Sequence, residues 1–342
     1  MRQNLLGWGL GSSIKVYGGN GIIVKMGRLE ITLDPYSSPP IDLAFISHAH
    51  IDHLRAPLKG VRVIASKETA FLAKERGFDL GDVYEGFEDL ELVESGHILG
   101  SKGILIKGEV FYTGDFALRP RSFLSGGKPV KCRVLIVEST YGVERFKFPP
   151  LATLLDKTNR LIADSFSQGR PIVLMGYPLG KAQLLTDLFS AWDPIYLHGS
   201  VWRMNQAYTK LGVILRDLKP YSYALERGLL DKKPWVLISP LESGRSAFIK
   251  RLKEKYGAIT VAFSGWAADP SYKYAMAVDH AVPLSDHCDF EDLISVVKRC
   301  SPEKVFTVHG FSSEFASYLR KLGFDAEPLL GVQRLIKDYV GD

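Results

Sequence analysis

Residues 47–53 bring together side chains that bind metal ions. The segment reads Ser-His-Ala-His-Ile-Asp-His, so three imidazoles and one carboxylate fall within six positions. Imidazole and carboxylate groups are typical ligands of zinc and similar divalent cations. The apolar run 43–46 predicts a strand that ends at this segment, and alternation along an extended chain places His48 and His50 on the same side. The sequence therefore predicts a metal site at the end of a strand.

The pattern His-x-His-x-Asp-His resembles the signature of the metallo-β-lactamase superfamily. Three further elements of that family's pattern occur in the same order along this chain. Asp34 follows an apolar run, His97 lies in a glycine-rich turn, and Asp115 follows the run 110–113. Each of them falls where the residues themselves predict the end of a strand.

The resemblance implies two zinc ions per chain, with manganese as the alternative metal. The implied ligands are His48, His50 and His97 for the first ion, Asp52, His53 and His309 for the second, and Asp115 for both. Asp34 is implied to accept a hydrogen bond from a ligand imidazole and so to fix its tautomer. Two such ions activate water for attack on phosphorus and neutralise charge in the transition state.

The carboxyl-terminal motifs resemble those of the β-CASP branch of this superfamily, which contains nucleic-acid hydrolases. These are motif A at 135–142 with Glu138, motif B at 284–289 with His287, and motif C at 308–310 with His309. The resemblance implies that His287 protonates the leaving 3′ oxygen as a general acid, while Glu138 orients it and keeps it protonated. Together with Asp52, these two are the predicted catalytic residues.

Six of the eight histidines occupy motif positions. The remaining two, His198 and His280, are predicted to be structural residues. The concentration of imidazoles on the motifs supports a metal centre independently of the resemblance.

Phosphate-binding residues are predicted at two places, and each has a structural alternative. Segment 178–185 resembles the Gly-Arg-x-Gln-Glu-Leu helix start of the β-CASP branch, and its Lys181 could contact a backbone phosphate beside the helix N-terminus. Ser243 and Arg245 form the second candidate. Both segments could equally be ordinary helix caps and turns.

The predicted function is the metal-dependent hydrolysis of phosphodiester bonds in RNA or single-stranded DNA. His309 in motif C is typical of the RNA-acting members of the branch, which favours RNA processing. The short inserted region and segment 264–266 are similar to prokaryotic exonucleases associated with DNA ligases, which favours DNA repair. Polarity and the choice between exonuclease and endonuclease action stay open.

Two other classes of function are alternatives. A small-molecule hydrolase of the same superfamily would act on a thioester or lactone, but such an enzyme needs neither an inserted domain nor the pair Glu138 and His287. A nucleic-acid-binding paralogue without activity would lack metal ligands, and here none is missing.

Composition places few limits on these functions. The net charge of +5 permits a polyanionic partner without establishing one. The three cysteines form neither a Cys-x-x-Cys pair nor a disulfide framework, which fits a reducing compartment. No apolar run reaches the roughly 20 residues that span a bilayer, and segment 1–18 lacks the apolar core of a signal peptide. We expect a cytoplasmic protein without a membrane partner, and the oligomeric state, including a homodimer, stays open.

The elements that position these residues predict an α/β fold. Short strands and turns dominate the first third, whereas strands alternate with helices over 160–265, which is typical of a small parallel sheet. The resemblance implies a metallo-β-lactamase αββα sandwich built from residues 1–160 and 265–342. An inserted small α/β domain of the β-CASP type would occupy 161–264.

The chain must return to the first domain after the insertion. His287 and His309 belong to the site that His48 begins, so distant segments have to meet there. Because zinc–nitrogen bonds are about 2.0–2.1 Å long, we expect His309 within about 10 Å of His53.

Overall fold

The computed structural model of the chain describes residues 14–87, 89–232 and 234–329, so most of the segment 1–18 lies outside the described residues. The first sheet begins with antiparallel hairpins and continues with parallel strands. In spatial and chain order its strands are β1 (Ile14–Gly19), β2 (Gly21–Met26), β3 (Leu29–Leu33), β4 (Leu43–Phe45), β5 (Arg62–Ile64) and β6 (Val83–Tyr84). Helix α1 (Lys67–Glu75) follows β5, and the hydroxyl of Ser66 caps it by accepting from the amide of Thr69.

The second sheet starts with an antiparallel meander and then becomes parallel. Its first strands are β7 (Gly86–Phe87), β8 (Leu90–Glu94), β9 (Lys102–Ile106), β10 (Val110–Tyr112) and β11 (Val134–Glu138). The step from β10 to β11 is parallel, so the carboxyl ends of both strands lie at the same edge.

The inserted domain is a parallel sheet with helices on both faces. Its strands are β12 (Ile172–Gly176), β13 (Ile195–Leu197), β14 (Lys219–Pro220), β15 (Val236–Pro240), β16 (Ile259–Phe263) and β17 (His280–Val282), in the spatial order β14-β13-β15-β12-β16-β17. Its helices are α2 (Leu151–Ser167), α3 (Lys181–Leu188), α4 (Gly199–Lys210), α5 (Tyr221–Glu226), α6 (Ala247–Tyr256) and α7 (Ser271–Met276). No helix within the described residues is both long and apolar enough to cross a membrane.

The chain returns to the second sheet after the insertion, as the motif order predicts. Strands β18 (Lys304–Val308) and β19 (Ala326–Pro328) add to it in parallel, with β18 directly beside β11. Helices α8 (Phe290–Cys300) and α9 (Ser312–Lys321) accompany them. The side chain of Asp289 caps α8 by accepting from the amide of Asp292.

The period-two alternation of β11 shows how the layers are built. Ile136 points into the core between the two sheets, while Leu135 and Val137 point into the core beneath α8 and α9. Helix α1 covers the outer face of the first sheet through Leu72 and Ala73. The predicted αββα sandwich with an inserted domain is therefore confirmed.

The predicted boundaries of the insertion need correction. Strand β17 pairs in parallel with β16, so the sheet of the inserted domain extends to Val282 rather than ending at 264. Helix α2 packs Leu154 and Ile162 into the core of the insertion, so the domain begins near 151 rather than at 161. Because β16 and β17 are parallel, a crossover must connect them, and this crossover extends the domain past the change in sequence pattern near 265.

The core between the sheets predicts a large effect for one substitution. Ile136→Ala should lower the free energy of unfolding by about 2–5 kcal/mol, because it leaves a cavity at a fully buried position. Ile214→Ala is the matched control, since Ile214 is 92% exposed and should change stability by less than about 0.5 kcal/mol. Urea denaturation midpoints measure both, and equal midpoints would contradict the packing described.

Candidate active site

The predicted ligand residues lie where strands end at one edge of the sandwich. His48 follows β4, Asp115 follows β10, and His309 follows β18. His53 lies in a short 3-10 turn, Ile51–His53, just after the first two histidines. Neighbouring parallel strands bring their carboxyl ends to the same edge, so residues far apart in sequence meet there.

Three imidazole nitrogens and one carboxylate oxygen converge at this edge. The Nδ1 atom of His50 lies 3.0 Å from Nε2 of His48 and 3.1 Å from Nε2 of His97. The Oδ2 atom of Asp115 lies 3.5 Å from Nε2 of His48 and 3.7 Å from Nε2 of His97. All four ligand atoms lie within 4.8 Å of one another, so they could share one cation.

The outer nitrogen of each imidazole fixes its tautomer. His50 Nε2 donates to the carbonyl of Leu179 at 3.1 Å, and His97 Nδ1 donates to the carbonyl of Asp286 at 2.8 Å. His48 Nδ1 donates to the hydroxyl of Ser47 at 2.9 Å, since that hydroxyl donates its own proton to the carboxylate of Asp34. A neutral imidazole carries one proton, so the inner nitrogens face one another with lone pairs. Lone pairs about 3 Å apart repel unless a cation lies between them, so the donor set fits a divalent metal ion.

The protonation states also suit a metal. Burial first, and then the charge of neighbouring imidazoles, hold the pKa of His48 and of His97 well below the ordinary range. Burial likewise lowers the pKa of His50. Burial alone would raise the pKa of Asp115, but the adjacent His53 and His287 outweigh it and hold that pKa well below its usual range. Neutral imidazoles and an ionised carboxylate are the forms that bind metal.

The residues predicted for the second ion lie beside this cluster. His53 Nε2 is 3.6 Å from Oδ2 of Asp52 and 3.6 Å from Oδ2 of Asp115. The rings of His53 and His309 have centroids 6.2 Å apart, which satisfies the expected limit of about 10 Å. The structure thus brings all the predicted ligands together, while their individual roles stay predictions.

Asp34 orients His53, one of the residues predicted to bind the second ion. Its Oδ2 accepts from Nδ1 of His53 at 2.9 Å and from the hydroxyl of Tyr112 at 2.8 Å. Its two oxygens also accept from the amide and the hydroxyl of Ser47, both at 2.7 Å. A fully hydrogen-bonded carboxylate fixes the tautomer and the orientation of the ring that it holds.

The buried Glu138 and the partly buried His287 form a pair beside Asp115. His287 Nδ1 donates to Oε1 of Glu138 at 2.9 Å, and its Nε2 lies 4.0 Å from Oδ2 of Asp115. Burial would lower the pKa of His287, but the charge and the hydrogen bond of Glu138 outweigh it and raise that pKa to about 9. Backbone amides of Phe116 and Thr140 hold the two oxygens of Glu138 in place.

His287 and three members of the ligand cluster line one cavity of about 230 Å³. Its polar side includes the ligands His50, Asp52, His97 and Asp115, together with His287 and the partly buried Arg76. Its apolar side consists of Ile51, Tyr141, Tyr177, Pro178, Leu179 and Trp266. The motifs did not predict this aromatic wall, because Tyr141 and Trp266 meet only through packing, with ring centroids 4.9 Å apart.

The structure contradicts the predicted phosphate contact of Lys181. This residue borders the cavity, but it is 1% exposed and its ammonium group lies 2.8 Å from Oδ1 of Asp286. The group also donates to the carbonyl of Leu284 at 2.7 Å, so buried partners already use its charge.

The other predicted phosphate residues, Ser243 and Arg245, lie away from the cavity. Ser243 donates to the carbonyl of Met276 and Arg245 to that of Ala275, so both bind the end of α7. The turn is the structural alternative that the sequence allowed. His198 also proves structural, since its side chain caps α4.

Comparisons with known proteins agree with this site. Residues 274–327 match the family described as the Zn-dependent metallo-hydrolase RNA specificity domain. The chain is 32% identical to a probable DNA ligase of Opitutus terrae over 84% of this chain and 28% of that protein. It is 22% identical to an RNase J-like protein of Methanocaldococcus jannaschii over 79% and 82% of the two chains. It is 28% identical to cleavage and polyadenylation specificity factor subunit 3 of Dictyostelium discoideum, over 83% and 48%.

The chain thus spans about a quarter of the first of these relatives and about half of the last. A solved structure of a protein of unknown function from Enterococcus faecalis shares the fold, with a TM-score of 0.56 and 15% identity over 85% of this chain and 92% of that chain. With the metal-ligand pattern and the β-CASP motifs in place, the chain belongs to the β-CASP branch of the metallo-β-lactamase superfamily.

The convergence on Asp115 predicts what its loss would do. Asp115→Ala removes the anion that lies within 4 Å of His48, His53 and His97, so purified protein should lose bound metal as well as activity. Asp156→Ala is the control, because that carboxylate pairs only on the surface with Arg160. Elemental analysis after dialysis measures the metal, and an unchanged metal content in Asp115→Ala would contradict the ligand assignment.

Proposed function

We propose that the protein is a metal-dependent nuclease that hydrolyses phosphodiester bonds of RNA or single-stranded DNA. The observation that carries this proposal is that His287, which is paired with Glu138, faces the same cavity as His50, His97 and Asp115 of the ligand cluster. Divalent cations held by such ligands lower the pKa of water and neutralise charge on phosphate oxygens. The residues would hold two ions, with zinc as the first choice and manganese as the alternative.

His287 would supply the proton that the leaving oxygen needs. Its Nδ1 is committed to Glu138, so a proton on Nε2 faces Asp115 and the cavity. The raised pKa keeps the imidazole protonated at neutral pH, which is the form that a general acid requires. Asp52, which also lines the cavity, would hold the second ion and the attacking water.

The comparisons support a nucleic-acid substrate without separating RNA from DNA. The matched family is described as an RNA specificity domain, whereas the relative with 32% identity is described as a probable DNA ligase. Three buried free thiols support our further proposal of a cytoplasmic location, because unpaired cysteines persist in reducing compartments.

A small-molecule hydrolase is a weaker explanation of the same site. Thioester hydrolysis expels a thiolate, which needs little protonation, so it gives no reason for a buried Glu138 behind His287. Hydrolysis of thioester and lactone substrates with no hydrolysis of oligonucleotides would favour this alternative.

One assay decides the substrate class. Labelled RNA and DNA oligonucleotides of identical sequence should be tested with the zinc-loaded or manganese-loaded protein, and at least one should be cleaved. The metal-depleted protein should leave both intact and should regain activity when metal is restored, since the cations supply the activated water. Failure to cleave either strand with about two bound ions per chain would contradict the nuclease proposal.

A second experiment tests the role of His287. His287→Ala should keep its metal but lose about 10²–10⁴-fold in turnover of the oligonucleotide, which is the usual contribution of a positioned proton donor. A nitrophenyl phosphodiester has a good leaving group that needs little protonation, so the variant should be impaired much less on it. Equal impairment on both substrates, or loss of metal, would show that His287 has another role.

A further inference from the structure

The turn between β12 and α3 of the inserted domain contacts the metal centre directly. The carbonyl of Leu179 accepts from Nε2 of His50 at 3.1 Å, across 129 positions of sequence. His50 lies in the first domain and Leu179 in the inserted one, so this hydrogen bond crosses the domain boundary. It leaves Nδ1 of His50 facing His48 and His97.

Lys181, the first residue of α3, is connected to a second predicted ligand, His97, through Asp286. Its Nζ lies 2.8 Å from Oδ1 of Asp286 and donates to the carbonyl of Leu284 at 2.7 Å. The carbonyl of Asp286 accepts from Nδ1 of His97 at 2.8 Å, across 189 positions. Lys181 therefore fixes the segment that orients His97 and that continues into His287.

The ion pair of Lys181 and Asp286 is almost completely buried, with side-chain exposures of 1% and 5%. Burial would raise the pKa of Asp286, but the charges of Lys181 and Arg121 outweigh it and hold that pKa at about 2. Arg121 in turn donates to the carbonyls of Ser285, Gly96 and His97. A buried charge without its partner is costly, so each member depends on the others staying in place.

The packing leaves the turn little freedom to move away. Gly180 has φ = 92°, and a Cβ there would lie 2.3 Å from Cγ2 of Ile98, the residue after His97. A Cβ on Gly176 would lie 2.5 Å from Cγ of Lys181. Glycine at 180 lets the inserted domain fit closely against the loop that carries His97, and glycine at 176 leaves room for the side chain of Lys181.

We propose that Leu179 and Lys181 are positioning residues, through which the docking of the inserted domain sets the metal affinity of the first domain. The proposal rests on the metal dependence of the proposed function. Groups that hold the outer nitrogen of a ligand histidine typically contribute 10–100-fold to metal affinity. Because binding linkage is reciprocal, bound metal should in turn stabilise the docked turn.

Hydrogen exchange of the wild-type chain tests this reciprocity. Adding zinc chloride to the metal-depleted full chain should slow amide exchange in residues 178–186. Helix α6, on the opposite face of the same sheet, is the reference and should slow much less. If zinc slows exchange around His48 and His97 but leaves 178–186 unchanged, the proposal is wrong.

Substitution of Lys181 tests whether the docked turn affects metal binding. Lys181→Met should weaken zinc binding by about 10–100-fold in a chelator competition assay, whereas Lys181→Arg should restore most of the affinity because it keeps a cation beside Asp286. Lys253→Met is the matched control, since it breaks a lysine–aspartate pair with Asp279 elsewhere in the inserted domain. Wild-type affinity in a folded Lys181→Met would overturn the assignment of Lys181.

Gly180→Ala provides a second variant if Lys181→Met does not fold. Its methyl group should push the turn away from Ile98 and so weaken the hydrogen bond from His50 to Leu179. A folded Gly180→Ala with unchanged zinc affinity would contradict the proposal. A wild-type chain that binds neither zinc nor manganese would instead contradict the proposed function, and the inference with it.

Discussion

The site depends on one electrostatic constraint, which is that imidazole lone pairs must face one another at about 3 Å before any cation is present. Such an arrangement has no attraction of its own, so other groups have to enforce it. An oxygen on the outer side of each of four rings does so, by accepting the outer N–H. These oxygens belong to Ser47 for His48, Leu179 for His50, Asp34 for His53 and Asp286 for His97.

The sandwich supplies the rigid frame for those oxygens. Parallel pairing of β10, β11 and β18 brings Asp115, Glu138 and His309 to one edge, although the whole inserted domain separates the last of these from the others in sequence. Asp34 and Ser47 add a buried hydrogen-bond network beneath them. The result is a preorganised cavity in which a protonated His287 and a set of deprotonated ligands lie only a few ångströms apart.

The inserted domain therefore contributes to the site in two ways. It forms one wall of the cavity through Tyr177, Pro178 and Leu179, and it also supports two metal ligands from behind. Under the proposed function, this arrangement would couple the enclosure of the substrate to the integrity of the metal site. Lys181, which the sequence predicted as a phosphate contact, instead belongs to the support of the ligands, because its ammonium group pairs with Asp286.

The sequence by itself determined the candidate ligand residues and the order of the motifs, because His and Asp are local signals, and the resemblance that those motifs carry implied the αββα frame. It did not determine the limits of the insertion, the aromatic wall or the partners of Lys181. The oxygens that orient His50 and His97 are backbone carbonyls, which every residue carries, so no residue type marks them. Only the tertiary structure selects them, because packing alone decides which carbonyl lies behind each ring across 129 and 189 positions of chain.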